Sequence, residues 1–340
     1  MKMLITGGAG FIGCNSADYF IEKGHEVVIF DNLSRQGGDS NIGWLRERHG
    51  DGFRLIKGDI RDFDALCDAM DGVETVIHLA GQVAVTTSVI NPREDFEINA
   101  LGTFNVLEAT RLHAPKAAFL YASTNKVYGG MEDVEIVLDG DRYVYADYPE
   151  GIPEMAPLDF HSPYGCSKGA GDQYVIDYAR IYGMRTLVFR QSCIYGRRQF
   201  GVEDQGWVAH FIIAAVMGKQ ISIFGDGKQV RDMLHISDVV RAYELGIQNI
   251  DALSGKALNL GGGATNTLSI WSEFGELLEE LHGEAVTVDW GDWRPGDQKV
   301  FIADISRAAE LLDWKPKVSP IDGVHDLYQW VSANRGLFGV

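Results

Sequence analysis

The sequence has few of the features that mark an exported, metal-binding or membrane protein. It contains only 4 cysteines in 340 residues, and no two of them have C-x-x-C spacing, so neither a zinc site nor a disulfide framework is indicated. No segment approaches the roughly 20 uninterrupted apolar residues of a membrane-spanning helix, and no basic, apolar leader precedes the first strand. We therefore expect a metal-free cytoplasmic protein without a membrane partner.

Positive charge is also scarce. The chain has 30 Lys and Arg residues against 48 Asp and Glu residues, which gives a formal net charge of −18. A field of this sign repels long polyanions, so nucleic acid is not expected as a partner. A small phosphorylated ligand remains compatible with this charge if arginines are concentrated in one cleft.

Short apolar segments alternate with amphipathic helical stretches over the first part of the chain, which predicts an α/β fold with a Rossmann-type, doubly wound parallel sheet. The strands are expected at 3–5, 27–30, 53–56, 75–79, 117–121 and 186–189. Shorter elements follow, among them 221–224, 257–260 and 286–289, and predict a smaller C-terminal α/β substrate lobe. We expect residues 1–190 mainly to bind a dinucleotide and residues 191–340 mainly to bind substrate, with the chain crossing between lobes. The acidic, aromatic stretch 129–157 lacks periodicity and is interpreted as a binding loop.

A glycine-rich turn follows the first predicted strand. Residues 6–13 read TGGAGFIG and open an amphipathic helix, with Gly7, Gly10 and Gly13 at three-residue spacing. Such a turn lets the backbone approach a pyrophosphate closely, while the free amides of the helix N-terminus face the anion. The segment therefore predicts a dinucleotide site.

Two carboxylates follow at the ends of later strands. Asp31 ends the second predicted strand, where it can accept hydrogen bonds from a ribose and repel a 2′-phosphate, which favours NAD over NADP. The alternatives are that Asp31 serves a turn or cap, and that Arg35 binds a phosphate. Asp59, after the third strand, is placed either beside the adenine or as a helix cap.

Tyr164 and Lys168 are four residues apart and follow Pro163, which suits the first turn of a helix. The phenol and the ammonium then share one helix face. Lys168 is expected to lower the pKa of the Tyr164 phenol and to hold a nicotinamide ribose, so that Tyr164 accepts a hydroxyl proton as hydride leaves the carbon. Thr124, at the end of the fifth strand, is expected to bridge the alcohol and the phenol, with Ser123 as the alternative. The alternatives without a catalytic role are that Tyr164 and Lys168 form an inert surface pair, and that the Thr124 and Ser123 hydroxyls only satisfy hydrogen bonds at the end of the strand.

These motifs, in this order, resemble the extended short-chain dehydrogenase/reductase family of nucleotide-sugar epimerases and dehydratases, and the resemblance covers nearly the whole chain. It rests on the glycine turn, HLAG at 78–81, Asn99 with Gly102-Thr103, Thr124 with Tyr164 and Lys168, Arg231-Asp232, and RPGD at 294–297. It implies a tightly bound NAD, a nucleotide-sugar substrate and a homodimer or homotetramer. The stretches 89–113 and 163–182 could form a helix bundle with a second subunit, although their apolar faces could equally pack on the sheet.

A narrower resemblance links three segments to the 2-epimerases of this family that act on CDP-linked hexoses. The segments are STNKVYG at 123–129, LDFHSPYGCSK at 158–168, and RQF at 198–200 with DQGW at 204–207. Family 4,6-dehydratases carry an Asp-Glu pair after the strand-end threonine, whereas this chain has Asn125 and Lys126, which argues against dehydration. We hypothesise that both side chains orient the sugar or the nicotinamide. Cys193 stands near the position where many 4-epimerases have an asparagine that contacts the diphosphate.

Arginines provide the expected contacts to the substrate's nucleotide end. Arg231 and Arg294 predict a diphosphate clamp, because guanidinium groups match phosphate oxygens and keep their charge. Asp297 is expected to hold a ribose hydroxyl. Arg198 and His161 are further candidates for substrate contacts. The alternatives are that the turn around Arg198 forms surface salt bridges and that His161 makes a structural hydrogen bond.

Two sets of residues summarise the predicted site. The dinucleotide set is Gly7, Gly10, Phe11, Ile12, Gly13, Asp31, Asn32, Ser34, Arg35, Asp59, Ile60, Leu79, Ala80, Gln82, Asn99, Tyr164 and Lys168. The substrate set is Gln82, Thr124, Asn125, Lys126, His161, Arg198, Gln199, Arg231, Arg294 and Asp297. No residue is assigned to a metal.

The leading interpretation is an NAD-dependent epimerase that inverts C2 of a CDP-linked hexose. The alternative within the same fold is a 4-epimerase of a UDP- or GDP-sugar, which would use the same three residues. A net dehydrogenase would be recognised by stoichiometric NADH formation or consumption. A different class of protein, a non-catalytic scaffold that binds a dinucleotide, is also considered. The presence of Thr124, Tyr164 and Lys168, the predicted catalytic triad, argues against it.

Overall fold

The computed structural model describes residues 1–294 and 297–339. The described chain forms two compact units. The first comprises Met1–Val127, Phe160–Arg190 and Val240–Leu258, and the second comprises Tyr128–Asp159, Gln191–Val239 and Asn259–Val340.

The secondary structure alternates between strands and helices in the first half of the chain. The strands are β1 (Lys2–Thr6), β2 (Glu26–Asp31), β3 (Phe53–Lys57), β4 (Thr75–His78), β5 (Ala118–Thr124), β6 (Ile136–Asp139), β7 (Arg142–Tyr145), β8 (Arg185–Gln191), β9 (Cys193–Tyr195), β10 (Ile221–Phe224), β11 (Val230–His235), β12 (Lys256–Leu260), β13 (Thr267–Ser269), β14 (Val288–Gly291) and β15 (Val300–Phe301). The α-helices are α1 (Phe11–Glu22), α2 (Gly38–His49), α3 (Phe63–Ala69), α4 (Val85–Ile90), α5 (Pro92–Phe96), α6 (Gly102–His113), α7 (Ser162–Tyr182), α8 (Trp207–Val216), α9 (Ile236–Gln248), α10 (Ile250–Leu253), α11 (Phe274–His282), α12 (Ser306–Leu312) and α13 (Pro320–Ala333).

The large sheet has the strand order β12-β8-β5-β4-β1-β2-β3. The pairings of β1 with β2 and β4, of β2 with β3 and of β4 with β5 are parallel, with Thr6 opposite both Phe30 and His78. The central strands are continuous apolar runs because helices cover both faces of the sheet. This arrangement confirms the predicted Rossmann-type doubly wound sheet. The order reverses between β1 and β4, which is where such sheets bind ligands at their carboxyl ends.

Helix α7 is the longest helix in the described part of the chain, and its start is fixed by two hydrogen bonds and one left-handed residue. Ser162 has a left-handed backbone (φ 65°), and its hydroxyl accepts a hydrogen bond from the Gly165 amide at 3.2 Å. The Tyr164 amide donates to the buried hydroxyl of Ser88 on α4 at 3.1 Å. These acceptors satisfy amides that a helix N-terminus leaves free. The first residues of the helix are therefore held in a fixed register against α4.

Two segments differ from the sequence-based expectations. The stretch 129–157, interpreted as a loop, contains the antiparallel hairpin of β6 and β7, in which Ile136 pairs with Tyr145. Each strand has only four residues, too few for a clear period-two pattern. Residues 257–260, expected in the C-terminal lobe, instead form β12 at the edge of the large sheet beside β8, so that expectation was wrong.

The second unit has a separate apolar core. Helix α8 contributes most of its residues to this core, and the Trp207 indole packs edge-on against Phe274 with ring centroids 5.0 Å apart. Strand β11 pairs with β13, β15 and β9, while β10 pairs with β14. Within the described ranges, we find no helix that combines the length and the apolar character needed to cross a bilayer.

Candidate active site

The glycine turn at the end of β1 is packed too closely for larger residues. Gly7 has φ 71°, and a Cβ there would lie 2.6 Å from the Ala80 nitrogen. A Cβ on Gly13 would overlap the Gly7 carbonyl oxygen and lie 2.6 Å from the Cα of Gly8. By contrast, a Cβ on Gly10 would meet only the Gly7 carbonyl, at 3.2 Å. The turn thus brings backbone close to backbone and presents the start of α1, with Phe11 and Ile12, as a cradle for an anion.

Asp31 holds this turn from the end of β2. Its carboxylate accepts hydrogen bonds from the Ala9 amide at 2.9 Å and from the Leu33 amide at 2.8 Å, and burial raises its pKa. The turn role considered for Asp31 is therefore present. It does not compete with ligand binding, because a carboxylate has about four acceptor sites.

Asp59 forms a second acidic position beside the ends of β2 and β3. It accepts hydrogen bonds from Asn32 Nδ2 at 3.1 Å and from Arg61 Nη2 at 2.7 Å, and Arg61 lowers its pKa. The alternative role of Asp59 as a helix cap is wrong, because Asp62 caps α3 by accepting from the Ala65 amide. Asn32 also accepts from the Ser34 amide at 3.0 Å, which shapes the loop that leads to Arg35.

The loop after β4 is held by buried polar groups. Asn99 lies in a wide π-type turn, Glu97–Leu101, and its side-chain amide binds both backbone groups of Gln82, at 2.9 and 3.0 Å. The Leu79 and Ala80 amides approach the Thr6 hydroxyl at 3.3 Å each. Asn99 is 1% exposed. Its hydrogen-bonding groups are therefore committed to protein partners, and its predicted contribution to dinucleotide binding would be to hold this loop. Ile60 is buried beneath α6, against Gly102.

The structure brings the predicted catalytic triad together at the carboxyl end of β5. The Tyr164 and Thr124 side chains share a hydrogen bond, and both are buried. Thr124 also accepts from the Lys126 amide at 3.2 Å. Ser123, the alternative hydroxyl, is instead bound to the Asp172 carboxylate at 2.7 Å. Thr124 is therefore the hydroxyl that faces the phenol.

Lys168 lies one turn along α7 from Tyr164 and is 7% exposed. Its Nζ donates to the Ala122 carbonyl at 2.7 Å and lies 4.2 Å from the centroid of the Tyr121 ring. A Cβ on Gly81 would lie 4.0 Å from this Nζ, so the ammonium is close to the loop after β4. Burial lowers the pKa of Lys168 to about 7, against the opposing effects of Asp172 and Asp95.

The ionisation of Tyr164 differs from the sequence-based expectation. Burial raises the pKa of its phenol to about 12, and the Thr124 hydrogen bond and the charge of Arg35 act to lower it. Here the cation that lowers the Tyr164 pKa is Arg35 rather than Lys168. Lys168, whose pKa burial lowers to about 7, is uncharged at the pH where this phenol titrates.

The remaining predicted sugar contacts of the first unit lie near the triad in sequence and are more exposed. Asn125 is half-buried, and its Oδ1 lies 3.3 Å from the Thr124 hydroxyl. Lys126 is half-buried, and His161 is exposed immediately before α7. Gln82 donates from Nε2 to the Ala84 carbonyl at 2.8 Å and to Asp95 at 3.1 Å.

In the second unit, the two predicted diphosphate arginines each have acidic neighbours. Arg231 on β11 donates to the Gln298 carbonyl at 2.7 Å and lies 3.8 Å from the Asp297 carboxylate. Arg294 pairs with Glu203 at 2.5 Å and Asp204 at 3.2 Å, and its guanidinium lies 3.6 Å from the Phe224 ring centroid. Pro295 and Gly296 of the RPGD segment lie outside the described residues.

The other predicted substrate residues of this unit have structural contacts. The Arg198 guanidinium lies 5.6 Å from a ring centroid of Trp330, and Gln199 donates to the Ile194 carbonyl at 3.3 Å. Cys193 accepts a hydrogen bond from the Trp207 indole at 3.1 Å, and burial raises the pKa of its thiol to about 12. The thiol is therefore neutral at physiological pH and offers no charge to a ligand.

Sequence reasoning missed the buried polar residues behind the triad. Asp95 and Ser167 are joined at 2.5 Å, and Ser88 binds the Tyr164 amide. A signal was available for Asp95, because it precedes Asn99 by one helical turn and so shares its face. Ser167 and Ser88 carry no comparable signal, because their partners are distant in sequence.

The doubly wound sheet, the glycine turn and the tyrosine-lysine pair together define the site of a dinucleotide-dependent enzyme that moves a proton and a hydride. The sequence model of the GDP-mannose 4,6 dehydratase family matches residues 4–327, and the chain belongs to this family. The resemblance to extended short-chain dehydrogenases/reductases is thereby confirmed.

Particular relatives are similar over the whole chain. It is 45% identical over 340 residues to the CDP-paratose 2-epimerase of Salmonella typhi, covering 98% of this chain and 100% of that protein. It is 34% identical to a putative UDP-glucose 4-epimerase of Methanocaldococcus jannaschii, covering 98% and 99%. Among solved structures, the UDP-glucuronic acid 4-epimerase of Bacillus cereus, in complex with UDP-glucuronic acid and NAD, has a TM-score of 0.84 at 28% identity, covering 98% and 99%.

The close packing at Gly13 generates a stability prediction. Gly13→Ala should lower the free energy of unfolding by about 1–3 kcal/mol, because the added methyl meets backbone atoms that cannot turn aside. Urea unfolding measures this change. Gly43→Ala in α2 is the control, since nothing lies within 4 Å of a Cβ there and alanine favours a helix. Equal stability of the two variants would show that the turn is looser than described.

Proposed function

We propose that the protein is an NAD-dependent epimerase that inverts C2 of a CDP-linked hexose. The observation that carries this proposal is the 45% identity, over essentially full length, to a CDP-paratose 2-epimerase. The buried, hydrogen-bonded arrangement of Thr124 and Tyr164, with Lys168 one turn along the same helix, supports a catalytic rather than a scaffolding role. A cytoplasmic location belongs to the same proposal, because the four cysteines are free thiols.

The residues of the first unit fit NAD. The turn at Gly7 and Gly13 has no room for a Cβ, and it opens a helix whose first amides suit a pyrophosphate. Asp31 is a half-buried carboxylate at the end of β2, which suits a ribose diol and disfavours a 2′-phosphate. The Lys168 ammonium has three N–H donors and donates one of them to the Ala122 carbonyl, which leaves protons for a nicotinamide ribose.

NAD, when bound, accepts a hydride from the sugar carbon and later returns it. In the forward half, Tyr164 would take the proton of the C2 hydroxyl, and Thr124 would hold the phenol through the hydrogen bond that the two side chains share. Lys168 supplies positive charge that favours the phenolate once it faces the ribose. Once the ketone has presented its other face, Tyr164 would give the proton back to the oxygen. One C–H and one O–H bond break and re-form, so there is no net redox change.

Asn125 and Lys126 separate this chemistry from dehydration. Elimination of water from a sugar needs an acid and a base in addition to the tyrosine. An asparagine has no proton to exchange at physiological pH. Asn125 and Lys126 therefore cannot replace the acid and base that the Asp-Glu pair supplies in the dehydratases. We propose that both side chains orient the sugar or the nicotinamide instead.

A 4-epimerase of a UDP- or GDP-sugar is the second candidate function. It is favoured by the 34% identity to a putative UDP-glucose 4-epimerase and by the likeness to the B. cereus enzyme. The triad serves either reaction, because only the orientation of the sugar selects the carbon. For the substrate's diphosphate we propose Arg231 and Arg294, with Asp297 on a ribose; Arg198, Gln199 and His161 remain candidates for sugar contacts.

The function is tested by incubating the purified protein with CDP-, UDP- and GDP-sugars and no added NAD. We expect NMR to show inversion at C2 of a CDP-hexose without accumulation of NADH, because the hydride removed is the hydride returned. Inversion at C4 of a UDP- or GDP-sugar would replace this proposal with the second candidate. Stoichiometric reduction of NAD would instead indicate a net dehydrogenase.

Tyr164→Phe should lower kcat by about 10²–10⁴-fold while leaving bound NAD in place, because the ring remains but the proton path is lost. Steady-state rates and the NAD content of the purified variant measure the two effects. Tyr174→Phe, on the same helix at a half-exposed position, is the control and should keep its activity. Near-normal turnover of Tyr164→Phe would rule out the phenol as the proton acceptor.

We also propose that the protein is a homo-oligomer joined through α6 and α7. Phe104, Tyr174 and Ile181 on these helices are 38, 50 and 62% exposed, and Leu101, directly before α6, is 41% exposed. This leaves apolar surface for a second copy to cover. Light scattering should give at least twice the chain mass, and Ile181→Asp should lower it to that of a monomer. Ile321→Asp on α13, 61% exposed in the other unit, is the control. A monomeric unsubstituted protein would exclude this interface.

A further inference from the structure

Asp95 is a buried carboxylate that the proposed reaction leaves without a role. Its side chain lies on α5 and is 1% exposed. It accepts hydrogen bonds from Ser167 Oγ at 2.5 Å, Asn99 Nδ2 at 3.0 Å and Gln82 Nε2 at 3.1 Å. All three donors are neutral. Direct contacts therefore satisfy the oxygens of this carboxylate but do not cancel its charge, and burying an uncompensated charge is costly.

The other buried carboxylate beside Lys168 is compensated differently. Asp172, one turn further along α7, accepts from Arg190 Nε at 3.0 Å and Arg190 Nη2 at 3.1 Å, and also binds Ser123. Asp172 and Arg190 thus form a two-point ion pair whose charges cancel. Lys168 is then left with a positive charge that this pair does not balance.

The groups that face Lys168 come from four elements. Asp172 lies on its own helix, Asp95 on α5, Tyr121 on β5 and His78 on β4. Burial lowers the pKa of His78 to about 3, so its ring is neutral at physiological pH. With Asp172 paired to Arg190, Asp95 is the remaining negative charge in this group, and it is equal in size and opposite in sign to the charge of Lys168.

We propose that Asp95 is a positioning residue of the epimerase: it is the buried counter-charge of Lys168, and its hydrogen bonds hold Ser167, Asn99 and the Gln82 loop against the Tyr164–Lys168 pair. This inference deepens the proposed function and rests on it for the reaction. The electrostatic part concerns only the ionisation of two residues and does not depend on which sugar is bound.

The sign of the effect on each residue follows from the charge. A negative carboxylate stabilises the ammonium of Lys168 and destabilises the phenolate of Tyr164, and so raises the pKa of both. The other groups that act on Tyr164 are Thr124 and Arg35, which lower its pKa. Loss of the Asp95 charge therefore lowers both pKa values. Because the base must be deprotonated and the ammonium protonated, both limbs of the pH–rate profile move to lower pH.

The direct test compares Asp95→Asn, which removes the charge and keeps the shape, with Ser167→Ala, which keeps the charge and removes the 2.5 Å hydrogen bond. The pH dependence of kcat/KM is measured for the NAD-loaded enzymes. We expect both limbs of Asp95→Asn to move down by about one pH unit, as for loss of a nearby charge. Ser167→Ala should change the rate without displacing the limbs. If the pH–rate profile of Asp95→Asn has both limbs at the same pH as the unsubstituted enzyme, the proposal is overturned.

A second measurement needs no substrate, so its failure is distinguishable from a failure of the proposed function. The ultraviolet absorbance of ionised tyrosine is titrated for the unsubstituted protein and for Asp95→Asn, each against its Tyr164→Phe counterpart. We expect the midpoint assigned to Tyr164 to fall in Asp95→Asn. An unchanged midpoint would contradict the electrostatic role even if the protein inverts C2, whereas a lowered midpoint supports it even if the reaction is at C4.

A folding measurement covers the case in which Asp95→Asn does not fold. The double variant Asp95→Asn/Lys168→Gln removes both charges at once. If the two residues balance each other, the double variant should fold, with a urea midpoint no lower than that of either single variant. A double variant as unfolded as Asp95→Asn would show that Asp95 is needed for reasons other than the charge of Lys168, and would refute the counter-charge.

Discussion

Burial of one ammonium group is the constraint on which the first unit depends. Lys168 is 7% exposed, and a cation in such a place needs acceptors and opposite charge around it. The sheet provides the Ala122 carbonyl and the Tyr121 ring at the end of β5. The helices provide two carboxylates: Asp172, which is paired to Arg190, and Asp95, which is held by neutral donors. The strand order, the entry of α7 and the turn that contains Asn99 are thus all linked to the environment of a single side chain.

Local signals sufficed to predict much of this arrangement. The spacing of the glycines, the position of Asp31 and the interval between Tyr164 and Lys168 are properties of short segments, and each was found where expected. The apolar runs predicted the strands for the same reason, since a strand covered on both faces needs no distant partner to be recognised. The choice of Thr124 over Ser123 also agrees with the structure, because Ser123 is bound to Asp172.

Features that depend on partners distant in sequence could not be predicted. Asp95 meets Ser167 across 72 positions and Tyr164 meets Ser88 across 76, and no local pattern encodes such pairs. The effect of burial on Lys168 could not be predicted for a related reason. Helical spacing places Lys168 on the correct face, but the burial that lowers its pKa to about 7 depends on other elements. The hairpin at 136–145 was missed because its four-residue strands are stabilised by pairing with each other rather than by an apolar period.

The start of α7 has a consequence for which sequence changes this fold can accept. Tyr164, Lys168 and Asp172 lie on one face because each is four residues from the next, and successive residues of an α-helix are rotated by about 100°. The left-handed backbone at Ser162 and the hydroxyl of Ser88 anchor the first turn, so the helix cannot slide to absorb an added or lost residue. One deletion between Tyr164 and Lys168 would turn the ammonium away from the sheet and leave Asp172 without its arginine. Length variation in this helix is therefore tolerable only towards its exposed end, near Tyr182, and the spacing of the segment is as much a part of the site as its side chains.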